Sequence, residues 1–168
     1  MFIGFVALDA AISTSLLVRN TSDVPVNADS TPVFRVYGSG AVLTTGSLSQ
    51  KDTFTVTGAT NATPIVITSV AHGLQTGQRV TISGVVGNLG ANTTATITRI
   101  SADTFSLDGV AGTGSYVSGG TGNVSGLYKV SITPTAALGF DVGQSYSVIV
   151  TYLVSAVSYA QTFSFTVV

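Results

Sequence analysis

Tyr146-Ser147-Val148-Ile149-Val150-Thr151-Tyr152-Leu153-Val154 reads as one long β-strand. Successive side chains of a strand point to opposite faces. Here that puts Tyr146, Val148, Val150, Tyr152 and Val154 on one face, with Ser147, Ile149, Thr151 and Leu153 opposite. β-branched and aromatic residues suit such a pleated, half-buried surface. The same period of two continues in both directions. Phe163, Phe165 and Val167 face away from Thr162, Ser164 and Thr166; Tyr128, Val130 and Ile132 alternate with Lys129, Ser131 and Thr133. Phe34 and Val36 alternate with Val33, Arg35 and Tyr37. Gly, Asn, Asp and Ser separate these runs. No segment keeps the i, i+3, i+4, i+7 apolar rhythm of a helix over three turns. Short alternating strands at this spacing predict an all-β sandwich or barrel.

The middle of the chain differs from its flanks. Residues 58–121 are richer in Gly, Asn and Thr, and they carry their own strands at 65–68, 79–83, 95–100 and 104–107. Turns fall at 72–77, 86–91 and 101–103, and a Gly-rich tract at 109–122 closes the segment. The flanks together leave 104 of the 168 residues. About 100 residues is the size of one immunoglobulin-like sandwich, and neither flank alone has the strands to close one. The expected fold is therefore an immunoglobulin-like β-sandwich made of residues 1–57 plus 122–168. It is split in sequence by a small inserted β-barrel, residues 58–121, because insertions are tolerated at exposed loop tips.

Composition narrows function. Charged residues make up 8% of the chain, against roughly 25% in an ordinary soluble protein. There is no Glu; six Lys and Arg oppose seven Asp, for a net charge of −1. Six scattered cations form no basic stripe, so binding of nucleic acid through phosphates is not expected. With 45% hydrophobic residues, disorder is not expected either. The lack of Cys removes disulfides and thiolate metal sites. Asp9 and Ser13-Thr14-Ser15 interrupt the apolar residues of 1–18, so no membrane insertion is expected. The first cation is Arg19, whereas a signal peptide needs basic residues ahead of its apolar core, and the segment reads as a plain first strand. A chain this poor in charge is weakly protected against association, and covering much of its surface with partners is the remedy.

Two resemblances sharpen the reading. Pro64-Ile65-Val66-Ile67-Thr68-Ser69, His72-Gly73-Leu74, Thr76-Gly77, Val80-Thr81-Ile82-Ser83-Gly84-Val85, Asp103-Thr104-Phe105-Ser106-Leu107-Asp108-Gly109 and Gly114-Ser115-Tyr116 follow one another in order. This string, about a third of the chain, resembles a small β-barrel module related to the first catalytic-cysteine half-domain of ubiquitin-activating enzymes. The module also occurs in tail, neck and fibre-type proteins of tailed bacteriophages. The resemblance implies no catalysis, since the cysteine region is a neighbouring one and this chain has no Cys. Where phage copies often read Asn-Gly in the second turn, this chain has Ala91-Asn92-Thr93. In the C-terminal flank, Phe140-Asp141-Val142-Gly143-Gln144-Ser145-Tyr146 resembles the corner before strand F of fibronectin type III and immunoglobulin-like domains. That resemblance gives Gly143 and Tyr146 a structural part, with the buried tyrosine hydroxyl capping the turn.

Individual residues offer little chemistry. His72 is the lone histidine, so it forms neither a His-rich metal site nor, without a nucleophile, a catalytic pair. Its expected role is to hold the 71–74 turn by a ring-to-backbone hydrogen bond. No two Asp lie closer than Asp103 and Asp108, which argues against a contiguous Ca²⁺ loop. Gly112-Thr113-Gly114 lacks the Lys and helix of a phosphate loop. There is neither a Gly-x-Ser-x-Gly elbow nor a pair of Glu for glycoside chemistry. No catalytic, cofactor-binding or metal-ligating residue is expected, and the protein is read as not an enzyme. Of the six tyrosines, Tyr116 is the least core-like and the first place to look for a glycan contact.

The expected function is that of a non-catalytic structural protein of a bacteriophage virion. It would assemble as a capsid decoration, neck or tail component through contacts with other virion proteins and with copies of itself. The segment 2–8 is the candidate strand for addition to a neighbour's sheet edge. The alternative is a carbohydrate-binding module for the host surface, with an exposed aromatic cleft as the discriminating feature. An enzyme such as a polysaccharide hydrolase ranks last, since it needs two carboxylates facing one groove.

Overall fold

The computed structural model describes all residues, 1–168. Fifteen strands follow in chain order: β1 (Phe2–Val6), β2 (Ile12–Leu17), β3 (Val33–Gly38), β4 (Ala41–Ser47), β5 (Ser49–Gln50), β6 (Thr53–Thr55), β7 (Gly58–Ala59), β8 (Ile65–Thr68), β9 (Arg79–Ser83), β10 (Thr94–Arg99), β11 (Thr104–Leu107), β12 (Thr121–Val124), β13 (Leu127–Ile132), β14 (Ser145–Val154) and β15 (Val157–Val167). Two short 3₁₀ turns, Leu89–Ala91 and Ala136–Leu138, are the only helical pieces. The chain forms two compact units, Met1–Ser49 with Tyr128–Val168, and Gln50–Leu127.

The first unit is an all-β sandwich. Its larger sheet has the order β1-β15-β14-β3-β4, and a smaller one has the order β2-β13-β5. β1 runs parallel to β15, and the other pairs of the larger sheet are antiparallel. The alternation read from the sequence sets the core. Leu16 of β2 and Val130 of β13 share one buried cluster with Val36, Val148, Val150, Phe165 and Val167 of the larger sheet. Each such side chain contributes about 1.5–3 kcal/mol by leaving water. Val148 is buried in that cluster, and with no Cys in the chain no disulfide ties the layers.

The second unit is a barrel. Its sheet order is β6-β12-β9-β10-β11-β8-β7. β6 and β7 are consecutive parts of one run that pairs with β12 on one side and β8 on the other. Between them, Val56 N–H donates to the Gly120 carbonyl and Thr57 N–H to that of Thr68, so the sheet closes on itself. β10 makes the bend: Thr94–Thr96 pair with β9, and Ile97–Arg99 pair with β11. Ile65, Ile67, Val80, Ile97, Phe105 and Leu107 fill the interior at 0% exposure.

Three expected boundaries move. The inserted unit starts at Gln50, not residue 58, and ends at Leu127, not 121. The reason is β6, which pairs with β12 and lays the Phe54 ring over Gly122 so closely that a Cβ there would clash with Phe54 Cζ. The N-terminal segment is two strands in different sheets rather than one, broken where Asp9 takes a left-handed φ of 64° and its N–H donates to Pro134. The last strand, β15, follows β14 through the two-residue turn Ser155-Ala156 and so starts at Val157.

Candidate functional site

The expected structural residues occupy turns. Before β14, Asp141 N–H donates to the Tyr146 hydroxyl at 2.6 Å, and that hydroxyl lies 3.4 Å from the Asp141 carbonyl. Gly143, at φ 84°, supplies the left-handed step, and its N–H donates to the Val167 carbonyl. The Tyr146 ring packs on Phe140 at 4.7 Å and on Phe165 at 5.6 Å. Tyr146 therefore serves the sandwich core, not solvent. His72 Nδ1 accepts the Leu74 N–H at 3.0 Å, and its ring meets Phe105 edge-on at 5.0 Å.

Tyr116 is not an open platform. Its ring packs against the barrel core, and its hydroxyl lies 3.1 Å from the Val56 carbonyl and 3.0 Å from that of Gly119, a donor shared between two acceptors. The ring is partly buried rather than openly exposed. Its surroundings also explain the Gly-rich tract. Asn88, fully buried, donates from Nδ2 to the Thr60 carbonyl and accepts at Oδ1 from Thr113 N–H. This staple draws the tract onto the 87–91 turn so closely that a Cβ on Gly87 would clash with the Ser115 carbonyl oxygen.

Most acids hold backbone or a near neighbour. Asp29 accepts the N–H groups of Ser155 and Ala156 at 3.1 and 2.7 Å. Asp103 accepts Ala71 N–H, and Asp108 accepts the hydroxyls of Thr98 and Ser106. Asp23 and Asp52 pair with Arg19 and Lys51. No group of three or more His, Asp or Glu side chains converges where a metal ion could be held.

Depressions mark the surface of both units. One of about 510 Å³ lies beside the Tyr146 corner, between Ser39, Leu43, Asp141 and Gln144. A second, about 360 Å³, belongs to the inserted unit and is lined by Gln50, Thr53, Thr55, Ser83, Thr121 and Asn123 over Phe54 and Gly122, with no charged residue. The third, about 240 Å³, adjoins Arg35 between β3 and β4.

The larger sheet of the sandwich is the more distinctive surface. Its five strands hold one charged residue, Arg35. Both edges lack the charges that usually guard an open strand. At the β1 edge, Phe2 and Phe5 are 52% and 69% exposed with their rings 5.2 Å apart. Ser164 N–H bonds to the Met1 carbonyl and Val168 N–H to that of Val6. With Phe2 opposite Ser164 and Phe5 opposite Thr166, that parallel ladder turns the Phe2 and Phe5 backbone groups outward. Sequence reasoning singled out this strand but passed over Arg35, Asn88 and Asp29. Arg35 was visible as a cation within the alternating run 33–37; the partners of Asn88 and Asp29 lie far along the chain.

No protein-family model matches the chain, and no curated protein matches it.

Proposed function

We propose that this chain is a non-catalytic structural protein of a tailed-bacteriophage virion, used as a capsid decoration, neck or tail component. The observation that carries the reading is the five-stranded sheet with one charge and an unguarded β1 edge. Such a surface invites association in isolation and becomes stable when subunits cover it. The engagement of most acids in turns and pairs supports the same reading, as does the resemblance of the inserted barrel to phage modules. The test is mass spectrometry and electron cryomicroscopy of particles produced by the genome that encodes the chain. The expected result is a fixed copy number at symmetry-related positions; its absence from purified particles refutes the proposal.

A second reading, binding of a neutral host glycan, is favoured by one feature, the uncharged hydroxyl-lined groove over Phe54. Titration with neutral disaccharides, followed by NMR, tests it. Shifts confined to residues 50–55 and 121–123 support it, and an unmoved spectrum at millimolar sugar removes it.

A further inference from the structure

We propose that the outer face of the larger sheet docks a different structural subunit of the particle, and that this subunit presents a carboxylate to Arg35. The inference rests on the virion reading and names the chemistry of the partner. One row across the face runs Phe2, Ser164, Ser147, Tyr37, Val42; the next runs Thr162, Ile149, Arg35, Thr45. Arg35 thus lies inside an otherwise uncharged patch of hydroxyl and apolar side chains. It is exposed and has neither an ion pair nor a side-chain hydrogen bond in the structure. Beside it, the depression of about 240 Å³ between β3 and β4 leaves room for an incoming side chain. Arginine and tyrosine set in a charge-poor patch are the residues that most often anchor protein interfaces.

Charge decides the occupant. The five strands contain no acid, so a copy packed face to face would bury two guanidinium groups with nothing to neutralise them. An unpaired buried charge is strongly unfavourable. A partner carrying one carboxylate in a neutral surface converts that penalty into a charge-assisted, bidentate pair. Five strands at about 4.8 Å spacing and about 20 Å length give a flat face on the order of 500 Å². That is less than the roughly 800 Å² each partner contributes to a standard stable interface. The contact therefore gains strength within the particle, where other contacts add, and the test belongs there.

The experiment compares particles assembled with the wild-type chain, Arg35→Glu and Arg35→Lys, and places a photo-crosslinking amino acid at position 45, opposite Arg35. Thermal unfolding of each purified chain is measured first. Since Arg35 has no partner within the chain, both variants should unfold with wild type; if Arg35→Glu does not fold, Arg35→Gln takes its place. The expected result is that Arg35→Glu lowers the copy number in particles at least about tenfold, while Arg35→Lys, which keeps the charge but loses the bidentate fork, lowers it less. The crosslink should fall on one other particle protein, in a peptide containing Asp or Glu. Wild-type incorporation of Arg35→Glu, or crosslinking only to a second copy of this chain, overturns the proposal and leaves the virion reading standing. Absence of the wild-type chain from particles overturns both.

Discussion

The β14–β15 hairpin offers a stability test with a sign that distinguishes explanations. Its two turn residues, Ser155 and Ala156, have φ values of 51° and 63°. Both are left-handed, as a two-residue turn between right-twisted strands requires, and Asn-Gly is the pair that ordinarily fills it. An alanine there has its Cβ against the backbone at a cost of about 1–2 kcal/mol. Glycine removes that strain but loses more freedom on folding, about 0.5–1 kcal/mol. Ala156→Gly should therefore stabilise the sandwich by about 0.5–1 kcal/mol. Asp29 holds the strained turn with its two carboxylate oxygens, one on each amide. Because these bonds are exposed, Asp29→Ala should cost about 1 kcal/mol, near the low end for charged acceptors. The chain has no Trp, so denaturant unfolding is followed by tyrosine fluorescence. Hydrogen exchange across 145–167 assigns the change to the sandwich rather than to the inserted unit. If Ala156→Gly proves neutral or destabilising, the left-handed turn is not strained and the reasoning fails. If Asp29→Ala is silent, the carboxylate does not hold the turn.

Other substitutions test the remaining contacts. Tyr146→Phe keeps the ring on Phe140 and Phe165 but leaves Asp141 N–H without its acceptor; a loss of about 1–2 kcal/mol is expected by denaturant titration. Asn88→Asp keeps the shape but brings a carboxylate oxygen to the Thr60 carbonyl inside a fully buried site, and should cost more than about 2 kcal/mol. Its loss of exchange protection should be confined to 50–127, and wild-type protection there would refute the staple. Gly122→Ala drives a Cβ into the Phe54 ring, so a cost of about 1–3 kcal/mol is expected in thermal unfolding.

What the sequence made legible follows the range of the interactions involved. β8, β9 and β11 lie where alternation put them, because period two is written in adjacent residues. The Tyr146 corner was equally local, a Gly-x-x-Tyr with its partner five residues away. The Ser155-Ala156 turn escaped notice because it has no Gly, Asn or Pro; its support comes from Asp29, 126 residues away from Ser155. The limits of the inserted unit escaped for a related reason. Nothing within 50–57 says that it pairs with 121–124 rather than with the sandwich; only the barrel's closure assigns it. Tyr116 looked free because its loop is rich in glycine, yet those glycines bring backbones together and put two carbonyls within reach of its hydroxyl.

The same long-range view explains how so uncharged a chain can hold a definite fold. Hydroxyl side chains on the outer rows of β14 and β15 keep the sheet wettable without repelling an approaching surface. Ser147, Ser158, Thr162 and Ser164 are of this kind. Charge repulsion is what normally keeps open sheets apart, and five of the seven acids are tied to turns, a neighbouring cation or nearby hydroxyls. On the docking proposed above, the one guanidinium of the larger sheet would discriminate among the surfaces that come near. A neutral surface gains nothing from Arg35, a basic one is repelled, and one with a well-placed carboxylate is held. Raising salt should separate apolar adhesion from this selection: between about 50 and 500 mM, release of the chain from particles should increase for wild type and Arg35→Lys. Salt-independent retention would mean that apolar contact alone holds the sheet and that Arg35 selects nothing.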